Sequence, residues 1–350
     1  MGSGSRCAIR DMTPYEQRRE NDFVGLRWLH QFGWLRTTEL GPLIWPTNAT
    51  ARHQADRLVR SWLERELVLV RMLPEGAGRA LVLAIRGVRM LAEHGYVATS
   101  GKDVGETSGH EWRPPTTWRH DLLAAGVLVD LHKRGWEVFP EAHVRRHSSK
   151  NTKLPDGLAR KGADVIWLEV ESARKTGPSM RHLANALCVV ASGGAATLIG
   201  MKPTLAMVAY RADAKDERGH SLSHRNRVRA AVAAEAKSAV ELIWAECHVK
   251  GTAGVNAATY KEDRVESDLS SAILKRLNAV GWRDEDGCLV SSYGARRAYV
   301  WFDDTAAQWS HRIDDEPAQY SGTVSEAKRD CANYLARESG DGNAHGKRVE

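Results

Sequence analysis

The run Ala163–Val170, ADVIWLEV, constrains this chain more than any other stretch. It is short and dense in β-branched and aromatic residues, and it reads as a buried strand. Its surroundings alternate in type. A helix is expected from Thr117 to Gly135, with Leu122, Leu123, Val127, Leu128 and Leu131 on its inner side. A strand over Trp136–Val144, a basic polar loop over Arg145–Lys153 and a short strand opening at Asp156 come next. Thr204–Tyr210 reads as a further strand closing the same sheet. The pattern predicts an α/β (α+β) fold with a mixed central sheet.

Glu169 and Glu171 stand at the end of the buried strand, two residues apart, so both point to one face. Asp156, on the neighbouring strand, is placed to meet them. Three carboxylates at such an edge are costly unless a cation neutralises them. Hard oxygen ligands suit Mg²⁺ or Mn²⁺, ions that activate water and stabilise a phosphate in transit. The alternative reading is a Pro-Asp turn followed by two solvated carboxylates on an edge strand.

The N-terminal part follows a different order. Thr13-Pro14 starts a helix that ends near Gly33, a second fits Thr38–Ile44, and a third fits Ala51–Glu66. The third is two-faced, with Ala55, Leu58, Val59, Trp62 and Leu63 on one side. Arg52, His53, Asp56, Arg57, Arg60 and Glu64 lie on the other. Apolar runs at Leu67–Leu73 and Arg79–Ile85 flank a turn at Pro74–Gly78, and a last helix spans Arg86–His94. Three helices and a hairpin make the winged-helix order, in which the third helix enters the major groove and the hairpin touches the backbone. Arg52, His53, Arg57 and Arg60 are therefore the candidate DNA contacts. The alternatives are a solvated charged face and a protein partner.

The domains expected are a winged-helix DNA-binding domain at 13–97, a linker rich in Gly, Ser, Thr and Pro at 98–115, a sheet domain at 116–313 and an acidic tail at 314–350. At ~150 residues per domain, 350 residues suit about two domains. The tail is poor in large apolar residues and is expected to be partly disordered and dispensable for folding.

The segment LPDGLARKGADVIWLEVESARKTG resembles the PD-(D/E)xK nuclease superfamily, whose restriction-endonuclease-like core carries PD on one strand and (D/E)xK on the next. Pro155-Asp156 match the first half and Glu169 the second, while Glu171 occupies the usual lysine position. Together with the winged-helix order, His120-Asp121 and EVESARK, it is similar to the plasmid replication-relaxation proteins and MobC-type mobilisation relaxases over roughly residues 15–212. The resemblance implies Asp156, Glu169 and Glu171 as ligands of Mg²⁺ or Mn²⁺, Lys175 as a relocated lysine on phosphate or water, and His120 as a further site residue. It implies a bacterial DNA nickase or endonuclease acting at a plasmid or mobile-element origin. The alternatives are a non-catalytic replication or partition regulator with a degenerate nuclease fold, and a defence nuclease. Partners expected are double-stranded DNA, a second copy of the chain, and mobilisation or replication proteins.

Charge agrees with a polyanionic partner. Residues 1–250 carry 37 Lys and Arg against 27 Asp and Glu, a net of +10, whereas 251–350 carry 13 against 17, a net of −4. The five cysteines form no CxxC pair, which argues against a disulfide framework or a zinc finger and for a reducing, cytoplasmic location. No signal peptide is expected in MGSGSRCAIR, and the uncharged run Leu183–Met201 is too rich in Gly, Ser and Asn for a membrane span. GxxxxGK[ST], GxSxG and HxH are absent. His143/His147 and His220/His224 have i,i+4 spacing and are read as ordinary surface histidines. Further along, helices are expected at His224–Val240 and Asp263–Val280, and strands at Leu242–Val249 and Ala298–Phe302. Arg225, Arg227 and Arg229 at a helix start sit poorly with its dipole unless an anion is near, and the alternative is a solvated basic loop-to-helix junction.

Overall fold

A computed structural model describes residues 12–108, 111–148, 153–173, 175, 177–212, 224–249, 255–285, 287–303 and 305–341. The chain divides into two units. The first holds the described residues of 1–173, 196–222 and 244–261; the second holds those of 174–195, 223–243 and 262–350.

The first unit opens with α1 (Pro14–Phe32), α2 (Thr37–Ile44) and α3 (Ala51–Glu64), then the hairpin β1 (Val68–Met72) and β2 (Arg79–Leu83), then α4 (Ile85–Glu93). α1 starts in a capping box between Thr13 and Glu16 with Pro14 in its first turn. It crosses α3 closely at Gly25, where a Cβ would meet the Trp62 indole at 2.6 Å. That indole is fully buried and donates to the buried Asp22 carboxylate at 2.6 Å. Arg65 binds the same carboxylate at 2.8 Å, so the acid is paired inside the core. Ala51, Ala55, Val59 and Trp62 of α3 are buried, but Leu63 is 36% exposed. It lies at the margin of a stripe centred on Ala55 and Trp62, and so falls outside the apolar face predicted for it.

β1 and β2 pair antiparallel from Val68↔Leu83 to Met72↔Arg79, and Leu35 bridges to Leu81 like a short third strand. The segment expected to be a linker instead carries a second hairpin, β3 (Glu106–Ser108) and β4 (Glu111–Arg113). Val104 and Trp112 pack on a cluster of Trp34, Leu73, Ala80, Val82, Trp118 and Leu122. One tryptophan in a polar stretch is enough apolar area to anchor it.

The sheet follows from α5 (Trp118–Lys133), β5 (Glu137–Pro140), α6 (Glu141–Arg146), β6 (Gly157–Lys161), β7 (Asp164–Glu171), α7 (Gly177–Ala191), β8 (Leu205–Arg211), α8 (His224–Glu235), β9 (Val240–Val249) and β10 (Val255–Val265). Its strand order is β10-β9-β8-β7-β6-β5. β5–β6 and β6–β7 are antiparallel and β7–β8 parallel, so the sheet is mixed as expected. β7 is buried over seven of its eight residues. The strand predicted over Trp136–Val144 stops at Pro140, which has no N–H for the ladder, and α6 takes over with Val144 buried. Among the described residues no helix is long and apolar enough to cross a membrane.

In the second unit, α8 ends at Glu235, and Val240 already belongs to β9. The helix expected from Asp263 begins only at α9 (Leu269–Val280), because Asp263 is still in β10. The five-stranded antiparallel meander β11 (Arg283–Glu285), β12 (Cys288–Tyr293), β13 (Arg296–Asp303), β14 (Gln308–Ile313) and β15 (Gln319–Ser321) leads to α10 (Val324–Asp341). The tail expected to be partly disordered carries a helix through Asp341 that packs into the core, while 342–350 lie outside the described residues. Ala327, Cys331, Ala332 and Leu335 are at most 3% exposed and pack with Ile273, Leu277, Val300 and Ile313. The apolar stripe is real but made mostly of small residues, which a search for large ones passes over.

Candidate functional site

The β6–β7 hairpin places two acids side by side. Gly157 pairs with Leu168, and one step outward the Asp156 amide donates to the Leu168 carbonyl at 2.9 Å. The Asp156 carboxylate accepts from the Val170 amide at 2.6 Å, which locks it beside the end of β7. Glu169 and Glu171 are 2% and 1% exposed on that strand, so neither is the solvated edge carboxylate of the alternative reading.

Each of the two facing acids is met by a cation. His120, near the start of α5, sets Nε2 3.2 Å from Asp156 and Nδ1 3.5 Å from Asp121. Burial works against its charged form, but the hydrogen bonds to the two aspartates win and raise its pKa to about 10. Burial also acts to raise the Asp156 carboxyl. His120, the Val170 amide and Lys153 outweigh it, and the group titrates below its ordinary value. Glu169 goes the other way. Burial and the Asp156 charge push it up against the opposing pull of Lys153 and Trp167. Lys153 reaches both Glu169 oxygens, at 2.9 and 3.1 Å, and the Trp167 indole donates to the carboxylate at 2.8 Å.

The structure thus brings together Asp156, Glu169 and His120 of the residues picked from sequence. Among the described residues no three of His, Cys, Asp and Glu form a metal-binding group. Glu171 shares the buried face of β7 with Glu169. Lys175 belongs to the second unit, is half-buried, and accepts at its carbonyl from Arg227 at 3.0 Å. Lys153 is the residue that sequence reading missed. The motif sets its lysine downstream of Glu169, whereas the antiparallel register continues Asp156 back toward Lys153 and so returns it to the end of β7. A cavity of about 700 Å³ opens beside Asp156, lined also by His120, Asp121, Arg145 and Arg146 with Trp34 on its apolar wall.

The predicted DNA contacts Arg52, His53, Arg57 and Arg60 are all exposed on α3. At the hairpin tip Glu75 forms an exposed ion pair with Arg119 of α5. The arginines of α8 have found their anion inside the protein, Arg225 and Arg229 binding Asp263 at 3.2 and 3.3 Å. The histidines correct the surface reading. His224 is 3% exposed, while His143 is half-buried and meets the His147 ring at a tilt, centroids 4.5 Å apart. His220 lies outside the described residues.

Comparison with known proteins adds little to this geometry. No family model matches the chain, and no solved structure matches it. Among curated proteins, a stretch of 53 residues is 38% identical to part of a retrovirus-related Pol polyprotein from the type-1 retrotransposable element R2 of Nasonia vitripennis. The match covers 15% of this chain and 5% of that protein's length.

Proposed function

We propose that this protein binds double-stranded DNA through α3 and the β1–β2 hairpin, as a winged helix, and nicks or cleaves a phosphodiester at the Asp156/Glu169 site, as in PD-(D/E)xK nucleases. The resemblance to plasmid replication-relaxation proteins and MobC-type relaxases makes an origin of a plasmid or mobile element the natural target. The observation that carries the reading is the contact of Lys153 with the buried Glu169, next to Asp156 on the adjoining strand. An acid pair with a lysine is the set that the sequence motif promises, with the lysine supplied from before the PD dipeptide.

The residues suit a divalent ion in number and kind. Mg²⁺ is commonly held by one or two carboxylates plus substrate phosphate, and Asp156 already raises the cost of charging Glu169. Asp156 and Glu169 would hold the ion, which when bound supplies Lewis-acid stabilisation and a water of lowered pKa. Lys153 puts positive charge where negative charge grows on phosphate. His120, protonated at neutral pH, fixes Asp156 by a charge-assisted hydrogen bond.

A second reading has its own observation. Both acids are already neutralised by protein cations, as suits a DNA-binding regulator that keeps only the nuclease frame. Incubating the protein with supercoiled origin plasmid and Mg²⁺ or Mn²⁺ separates them: open-circular product supports cleavage, and binding without product supports the regulator.

A further inference from the structure

The meander β11–β15 has two chemically different faces. α9 and α10 pack on one. Ser291 donates to the Leu277 carbonyl of α9 at 2.9 Å, and His311 meets Ser321, which donates to Asp330 of α10 at 2.7 Å. Ala298, Val300 and Ile313 share that face and are buried with the helices. Alternation sends the residues between them to the opposite face. There the central strand presents Tyr299 and Trp301, and the edge strand presents Tyr320, 56% exposed.

The register spaces these rings. Trp301 pairs with Ser310 and Ser310 with Tyr320, so the two aromatics stand two strands apart, ~10 Å, over a small buried residue. Tyr299 and Trp301 are ~7 Å apart along β13. Arginines frame them. Arg312, opposite Tyr299, holds its guanidinium 4.9 Å over that ring, and Arg297 on the same face is exposed. Arg283 continues the face on β11. The acids on this face are Glu285 and Asp303, and Asp303 is engaged by the Thr305 and Ala306 amides and the Tyr320 hydroxyl.

We propose that this open face, built on Tyr299, Trp301 and Tyr320 with Arg297 and Arg312, is a stacking platform for single-stranded DNA. A sheet with helices behind it and aromatic rings in front offers π-faces to unpaired bases, and guanidinium groups beside the rings meet the phosphates. Duplex DNA does not fit it, because its bases are already stacked. Charge argues against a basic partner: three arginines stand against two acids, one of them engaged. The choice of DNA over RNA rests on the function proposed above, in which a strand nicked at an origin is free to be displaced from its complement. The platform itself stands on the geometry of the second unit alone.

The test uses the full chain, a fluorescein-labelled oligothymidine and fluorescence anisotropy, with a duplex of equal length as the parallel probe. The wild type binds the oligothymidine, and Trp301→Ala with Tyr320→Ala weakens this at least tenfold while duplex binding is unchanged. Arg312→Gln, an exposed change that leaves the core alone, weakens it less and flattens the salt slope by about 0.7. Trp301→Phe keeps the ring and keeps most of the affinity. Reversing Arg52, Arg57 and Arg60 removes duplex binding but leaves oligothymidine binding, so this inference and the proposed function fail separately. The platform is overturned if the wild type does not bind the oligothymidine. It is equally overturned if Arg312→Gln and a natively melting Trp301/Tyr320 variant both bind it as the wild type does.

Discussion

α3 and α8 each carry three arginines in a short stretch, yet they end differently. On α3, Arg52, Arg57 and Arg60 point to solvent, and among the described residues Arg52 and Arg57 enter no ion pair. On α8, Arg225 and Arg229 close on Asp263, and Arg227 donates to the Lys175 carbonyl. Arginine spacing alone does not separate a nucleic-acid contact from an internal clamp. What separates them is whether the tertiary fold supplies an anion. On α8, β10 delivers one beside the positive end of the helix dipole, where arginines would otherwise be unfavourable.

That contrast can be broken in four ways. The largest effect is expected from ending the chain after Ile313. It removes α10, exposes Ile273, Leu277, Val300 and Ile313, and should abolish the second unit's thermal transition. A melting curve like that of the full chain would show that α10 is dispensable. Next, Arg52→Glu, Arg57→Glu and Arg60→Glu together should lower duplex affinity by 100-fold or more. The slope of log K against log salt should flatten by about 2.7 if all three touch phosphate, with the melting temperature unchanged. An unaltered salt slope would assign α3 to another partner.

Asp263→Ala should do the reverse, costing about 1–3 kcal/mol by stranding two arginines while duplex affinity stays within twofold. A large affinity loss without a stability change would put α8 on DNA. The smallest effect concerns pH in the unit that bears α3. Burial and nearby Arg146 and His147 hold His30 down at about 4, and burial and the same neighbours do the same to His143. Both folded values lie below the unfolded value of about 6.5. The contribution of these two imidazoles is therefore fully present above pH 6.5 and is lost as pH falls toward 4, by on the order of 1–3 kcal/mol in all. His30→Gln should flatten that loss, and an identical profile in the variant would place the sensitive groups elsewhere.

The N-terminal region was the most legible part of the sequence, because its signals are local. Capping box, proline, glycine stops and a Trp-centred amphipathic stripe each fix a boundary, and the elements fall within two residues of the reading. The hairpin bearing Asp156 and Glu169 was legible for the same reason. Lys153 was not, because its place depends on the pairing register beyond the strand ends. α10 was missed because its buried stripe is alanine, cysteine and one leucine. Asp263 as the partner of α8 is a contact between positions 34 or more residues apart, which no local pattern announces.

The proposed DNA-cleaving site joins Asp156, Glu169 and Lys153. The direct measurement is nicking of supercoiled origin plasmid in Mg²⁺ by the wild type, Asp156→Asn, Lys153→Ala and Lys175→Ala, with duplex affinity measured in parallel. Open-circular product is expected from the wild type, with at least a 100-fold loss in Asp156→Asn and Lys153→Ala at unchanged affinity and a near-wild-type rate in Lys175→Ala. A wild type that binds without nicking would contradict cleavage, and a loss confined to Lys175→Ala would contradict the assignment of Lys153.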